Sequence, residues 1–136
     1  MIFGATHTVN PTKNGAKESV YAVIPDGPDL VVEAAGPIEA VRLAADLRRR
    51  GTKWNIFGIT THETFVLDGG DVHFLEGRMD ASFGTTPRAM QMAIRLMERG
   101  LVDTEKIVTH RFTLDDIDRA VETMASPDRN KIIVNP

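Results

Sequence analysis

The stretch that most limits how this chain can fold runs from Asp29 to Gly58. Asp29 to Ala35 (DLVVEAA) is an apolar run of strand length, and Gly36-Pro37 ends it and opens a helix. Pro37 stands at the first helical position, where a missing N–H costs nothing. Ile38, Val41 and Ala45 recur at helical spacing, and Arg48, Arg49 and Arg50 close the element before Gly51. Cations there oppose the negative end of the helix dipole and face water, a commoner role than phosphate binding. Lys53 to Phe57 (KWNIF) is a second strand, ending at Gly58. Two strands joined by one helix of about a dozen residues form a right-handed βαβ unit. Asp29 to Ala35 is apolar on both faces, which predicts a strand covered on both sides of a parallel sheet. The fold class expected is therefore α/β.

The remaining segments fit around this unit. Thr6 to Asn10 (THTVN) is a β-branched run that stops at Asn10-Pro11, and Lys13 to Val23 is mildly helical up to Pro25-Asp26-Gly27-Pro28. Phe65, Val66 and Leu67 suit a short strand, Gly69-Gly70 a turn, and Met79 to Phe83 another strand. Thr86-Pro87 opens the clearest helix, and Met90, Ala93, Ile94 and Met97 line one face that is expected to fill a core. Thr113 with Asp116 resembles a capping box for a last helix whose buried stripe would be Leu114, Ile117, Val121 and Met124. The carboxylates of Asp115, Asp116 and Asp118 favour the positive end of that helix over a cation site. Lys131 to Val134 (KIIV) reads as a final strand.

Composition removes several classes of function. With 42% hydrophobic and 26% charged residues the chain has material for a packed core. Lys+Arg 16 against Asp+Glu 19 leaves no basic footprint for nucleic acid. No apolar run reaches the roughly 18 residues that cross a membrane, and no secretory signal is visible, so a cytoplasmic location is expected. The cysteine count is zero, which excludes disulfides, a thiolate nucleophile and cysteine-ligated zinc. His62-Glu63 begins like the HExxH zinc motif but lacks its second histidine, and no metal site is expected.

A glycine directly after each strand makes a nucleotide site the natural first guess, because ligands of open parallel sheets sit beyond the carboxyl ends of the strands. Yet no two of the 11 glycines are spaced as in G-x-G, and no Walker-type loop is present. Ser19, Ser82 and Ser126 lack a nucleophile elbow. Glu33, inside a strand, could be a buried general base; a paired or solvent-reaching carboxylate is the commoner outcome. No catalytic residue is assigned.

The motifs in order are D-L-V-V-E-A-A-G-P, R-R-G-T-K-W-N-I-F-G, R-M-D-A-S-F-G-T, T-H-R-F-T-L-D-D-I-D-R-A-V and N-K-I-I-V-N-P. Their succession, from about Phe3-Gly4-Ala5 to Pro136, resembles the C-terminal part of a zinc-type medium-chain alcohol dehydrogenase, with an impression of its polyol or threonine dehydrogenase branches. The resemblance implies a partial Rossmann-like parallel sheet with flanking helices in residues 1–84. Residues 85–136 would be a C-terminal helix-helix-strand segment returning to the catalytic domain. It places Met1 after the family's first two Rossmann strands and after the domain that supplies its zinc ligands, which would account for the absent cysteines. The chain alone should then be inactive, contributing to an enzyme that uses NAD or NADP and zinc on an alcohol.

The family's cofactor contacts carry over residue by residue. Ala35 and Gly36 match strand-end positions bordering the cofactor. Phe57, Gly58 and Ile59 match the backbone segment along the nicotinamide, where a carbonyl meets its carboxamide. Ala81 and Phe83 match the second segment holding that carboxamide, and Lys131 a basic position near the pyrophosphate. Phe65 to Met79 matches a dimer interface. Without its family neighbours, the Asp29–Ala35 strand would be an uncovered apolar edge, predicting a homodimer, a domain-swapped oligomer or a non-native re-pairing of the terminal strand. The alternatives are a non-catalytic nucleotide-binding or assembly module, or a piece of a zinc-independent quinone reductase relative.

Overall fold

The computed structural model describes residues 4–13, 15–60 and 63–136, so the readings that include Phe3 and His62 fall partly outside the described residues. The chain divides into two compact units, Thr6–Gly84 and Thr85–Pro136 with Gly4 and Ala5.

In the first unit, helix α1 (Ala16–Val23) precedes a βαβ unit of β1 (Leu30–Glu33), α2 (Ile38–Asp46) and β2 (Lys53–Ile56). Helix α3 (Gly69–Phe74) then leads to β3 (Arg78–Ala81). The sheet is parallel in the order β1-β2-β3, with Glu33, Ile56 and Ala81 in register at its carboxyl edge. One face carries the core. Ile38, Val41, Ala44 and Ala45 of α2 are buried with Trp54 of β2, whose Nε1 donates to the carbonyls of Ala44 (3.0 Å) and Leu47 (3.1 Å). The indole thus packs on the helix and ties off its last carbonyls. Thr52 is fully buried because its hydroxyl accepts from Arg49 N (2.7 Å) and lies 2.9 Å from the Pro28 carbonyl.

The other face departs from the expectation of a strand covered twice. Leu30 is 58% and Val32 55% exposed, so in this unit the β1 strand is covered on the α2 side only. Its outer edge has no ladder partner among the described residues. Thr6 to Asn10 does not supply one. The run forms no strand, because a strand requires a partner, and Asn10 instead accepts from Thr12 N (2.9 Å) and Thr12 Oγ1 (2.8 Å) in a side-chain-closed turn.

Other local expectations are corrected by capping and pairing. Phe65 to Leu67 forms no strand, and Gly69-Gly70 opens α3 rather than a turn. The helix wins because Asp68 Oδ1 accepts from Gly70 N (2.7 Å) and Asp71 N (3.0 Å). Helix α2 ends at Asp46, with Pro37 as its N-cap, so the arginines lie beyond its last turn. Each pairs with an acid from another segment: Arg48 with Asp71 (3.0 Å), Arg49 with Asp29, and Arg50 with Glu76 (2.7 Å). They fasten the β2 approach to helix α3 and to neighbouring loops instead of merely facing water.

The second unit begins with α4 (Pro87–Glu98), capped by Thr86 Oγ1 accepting from Ala89 N (3.2 Å), with Pro87 in the first turn. Its Met90, Ile94 and Met97 are exposed and Ala93 only half-buried, which overturns the expected core stripe. Helix α5 (Thr104–Ile107) runs into β4 (Val108–Thr113), and α6 (Ile117–Thr123) crosses to β5 (Lys131–Asn135) in parallel. The sequence reading does not include β4, although half-buried and exposed residues alternate along it. A single turn of 3-10 helix, Leu114–Asp116, precedes α6, and the Thr113 hydroxyl meets the Asp116 carboxylate (3.3 Å) in place of a backbone cap. Of α6 only Ala120 is buried; Leu114, Ile117, Val121 and Met124 are exposed, against expectation. No helix among the described residues is long and apolar enough to cross a membrane.

Candidate functional site

The carboxyl edge of the three-stranded sheet gathers most of the predicted site residues, because parallel strands in register end together. Ala35 and Gly36 follow β1, Phe57 to Ile59 follow β2, Ala81 ends β3 and Phe83 lies just beyond it. Lys131 belongs to the other unit, where it opens β5 as an exposed side chain.

Glu33, the last residue of β1, organises this edge. Its main-chain carbonyl accepts from Phe57 N (2.8 Å) and Gly58 N (2.9 Å), and its side-chain Oε1 accepts from Ala35 N and Gly36 N, both at 2.7 Å. One residue therefore takes up the N–H groups of four predicted site residues. The carboxylate is only 4% exposed, and its Oε2 is buried with no hydrogen-bond partner. This is neither the paired nor the solvent-reaching carboxylate that is common for strand glutamates.

The glycines that follow the strands are required by this packing. Gly36 has φ +99, and a β carbon there would lie 2.6 Å from the Ile59 carbonyl oxygen. At Gly58 a β carbon would lie 2.5 Å from Glu33 Oε2 and 2.6 Å from Gly36 N. The two strand-end turns are thus in backbone contact, and any side chain at either glycine would force them apart.

The chemistry offered to a ligand follows. Phe57 and Gly58 have spent their donors on Glu33, so the segment's remaining hydrogen-bonding capacity is mainly carbonyl acceptors. A carboxamide NH2 needs such acceptors. Ile59 is 89% exposed and Phe83 fully exposed, with Phe57 also largely solvent-facing, an apolar rim suited to a flat ring. The arginines nearest in sequence are committed to Asp29, Asp71 and Glu76. For metals, no group of three or more His, Asp or Glu among the described residues is placed to hold an ion.

Sequence reasoning singled out Glu33 without its role. The signal was available: a carboxylate two and three residues ahead of an Ala-Gly turn can reach back to that turn's N–H groups.

Known proteins show the same arrangement of sequence. The profile of the family described as zinc-binding dehydrogenase matches residues 1–99. L-arabinitol 4-dehydrogenase of Hypocrea jecorina is 29% identical over 135 residues, covering 95% of this chain and 34% of the relative. L-threonine 3-dehydrogenase of Coxiella burnetii is 29% identical over 134 residues, covering 97% and 39%. A Sinorhizobium meliloti protein described as a zinc-binding dehydrogenase, solved with NADP bound, superposes with a TM-score of 0.89 at 28% identity, over 98% of this chain and 40% of that one. The chain spans little more than a third of the length of these relatives.

Proposed function

Because this chain belongs to the zinc-binding dehydrogenase family, we propose that its strand edge forms the nicotinamide-side wall of an NAD(P) site in a dehydrogenase of small alcohols or polyols. The observation that carries this reading is the contact between the Gly36 and Gly58 turns, held by Glu33, which occupies the N–H donors of Phe57 and Gly58. The NADP-bound relative supports it. When bound, the cofactor supplies hydride acceptance and return. The chain's own residues orient it: Phe57, Gly58 and Ile59 with Ala81 and Phe83 along the carboxamide, and Ala35 and Gly36 beside them. Zinc, which the family name implies, finds no ligand set among the described residues, so no step is assigned to it in this chain. The relatives act on L-arabinitol and L-threonine by name, and a secondary alcohol of that kind is the substrate class proposed for the whole assembly.

By this reading residues 1–84 are the partial dinucleotide-binding domain and residues 85–136 the segment returning to a catalytic domain. The chain alone turns over no alcohol, and copies associate through the open β1 edge and the Phe65–Met79 stretch. Saturation-transfer NMR with NAD and NADP tests the cofactor assignment. Saturation should reach the nicotinamide protons and disappear in Gly58→Ala; transfer confined to the adenine protons would refute it.

A further inference from the structure

We propose that Glu33 makes this edge prefer the oxidised, cationic nicotinamide over the reduced, neutral one. The inference rests on the nicotinamide reading above and adds to it a residue that discriminates between the two forms.

Glu33 is 96% buried by its 4% exposure, yet only half of its carboxylate is matched by donors. Oε1 takes the N–H groups of Ala35 and Gly36 at 2.7 Å, and Oε2 takes none. No lysine or arginine among the described residues forms an ion pair with it. Leaving a charged oxygen buried without a partner is costly, so a structure that retains one has a compensating use for it. Oε2 lies against Gly58, where a β carbon would come within 2.5 Å, and Gly58 is the middle residue of the segment assigned to the nicotinamide.

Oxidised and reduced nicotinamide present the same carboxamide, so the backbone carbonyls of residues 57–59 recognise both. They differ by one positive charge on the ring. A buried carboxylate behind a single layer of backbone acts on that charge through protein rather than water, where Coulomb attraction is least screened. Only the cationic ring gains from it. The glycine at position 58 keeps the layer thin, since any side chain there would displace the carboxylate.

The experiment compares dissociation constants of oxidised and reduced cofactor for the chain and for Glu33→Gln, measured by ligand-observed NMR with NAD+ and NADH, or the phosphorylated pair if that binds tighter. Gln keeps the shape and one acceptor for both N–H groups while removing the charge. The expected result is a fall of about fivefold or more in the preference for the oxidised form, with affinity for the reduced form nearly unchanged. A role limited to holding the turns would weaken both forms alike. An unchanged ratio with both forms binding overturns this proposal alone, and failure of the unaltered chain to bind either form overturns the nicotinamide reading with it. If Glu33→Gln does not fold, the unaltered chain is titrated with N-methylnicotinamide cation and with neutral nicotinamide. Tighter binding of the cation supports the proposal, and equal binding overturns it.

Discussion

Glu33 Oε2 occupies the space that a β carbon on Gly58 would need, at a separation of 2.5 Å. The last residue of one strand and the glycine after the next are therefore a matched pair: the carboxylate can be buried because the glycine has no side chain. Gly36 completes the contact from the other side, with its N–H on Oε1.

Gly36→Ala and Gly58→Ala should each destabilise the chain by about 2–3 kcal/mol, through overpacking against backbone and, at Gly36, a positive φ. Gly51→Ala is the control. Gly51 has φ +78 but open space around its β position, so only the dihedral cost of about 1 kcal/mol remains. Urea unfolding followed by the fluorescence of the single tryptophan, Trp54, measures all three. Equal losses at Gly51 and Gly58 would contradict the packing argument.

Trp54→Phe should cost about 2 kcal/mol, because the ring is retained while the carbonyls of Ala44 and Leu47 lose the indole donor. Circular dichroism during urea unfolding replaces the lost fluorescence. A loss below about 0.5 kcal/mol would mean that water takes over both carbonyls.

Glu76 is held below the ordinary carboxylate range by its hydrogen bond from Arg50 and by the nearby guanidinium charge, and Arg50 is correspondingly raised. A depressed carboxylate stabilises the fold above its unfolded-state value, and the contribution disappears as pH falls through the folded value. The stability difference between the chain and Glu76→Gln should therefore be present at neutral pH and vanish in acid. Because both groups are fully exposed the difference is small and fades with added salt. A difference that grows on acidification would reverse the assignment.

Leu30→Lys with Val32→Lys should leave stability within about 0.5 kcal/mol, since both side chains are more than half exposed. The pair of charges should keep the chain monomeric at tens of micromolar, where the unaltered chain is expected to associate through its open edge. Analytical ultracentrifugation distinguishes the two. A monomeric unaltered chain would remove the edge from consideration.

The βαβ unit was legible because its signals are local: the Gly36-Pro37 stop, the helical spacing of Ile38, Val41 and Ala45, and the glycine after each strand. Helix α4 was legible from Thr86-Pro87 for the same reason. Asp68 overruled the Gly69-Gly70 turn because a side-chain cap supplies acceptors that glycine's freedom does not. Strand β4 went unread because Thr109, His110 and Arg111 are polar enough to mask its alternation. The positions proposed to face a cofactor came from resemblance, and of them only Gly36 and Gly58, the glycines after the strands, carry a signal of their own.

By itself the sequence determined the parallel βαβ unit, helix α4 and the final strand, where the signals are local. Capping, proline geometry and hydrophobic period act within a few residues, so they are written in consecutive letters. Only tertiary structure decided which apolar faces find a partner. Val41 is buried while Met90 and Val32, no less apolar in pattern, are exposed. It also decided that Glu33 meets Gly58, residues from different strands. Burial and clash depend on what arrives from elsewhere in the chain, and that is a property of the assembled sheet.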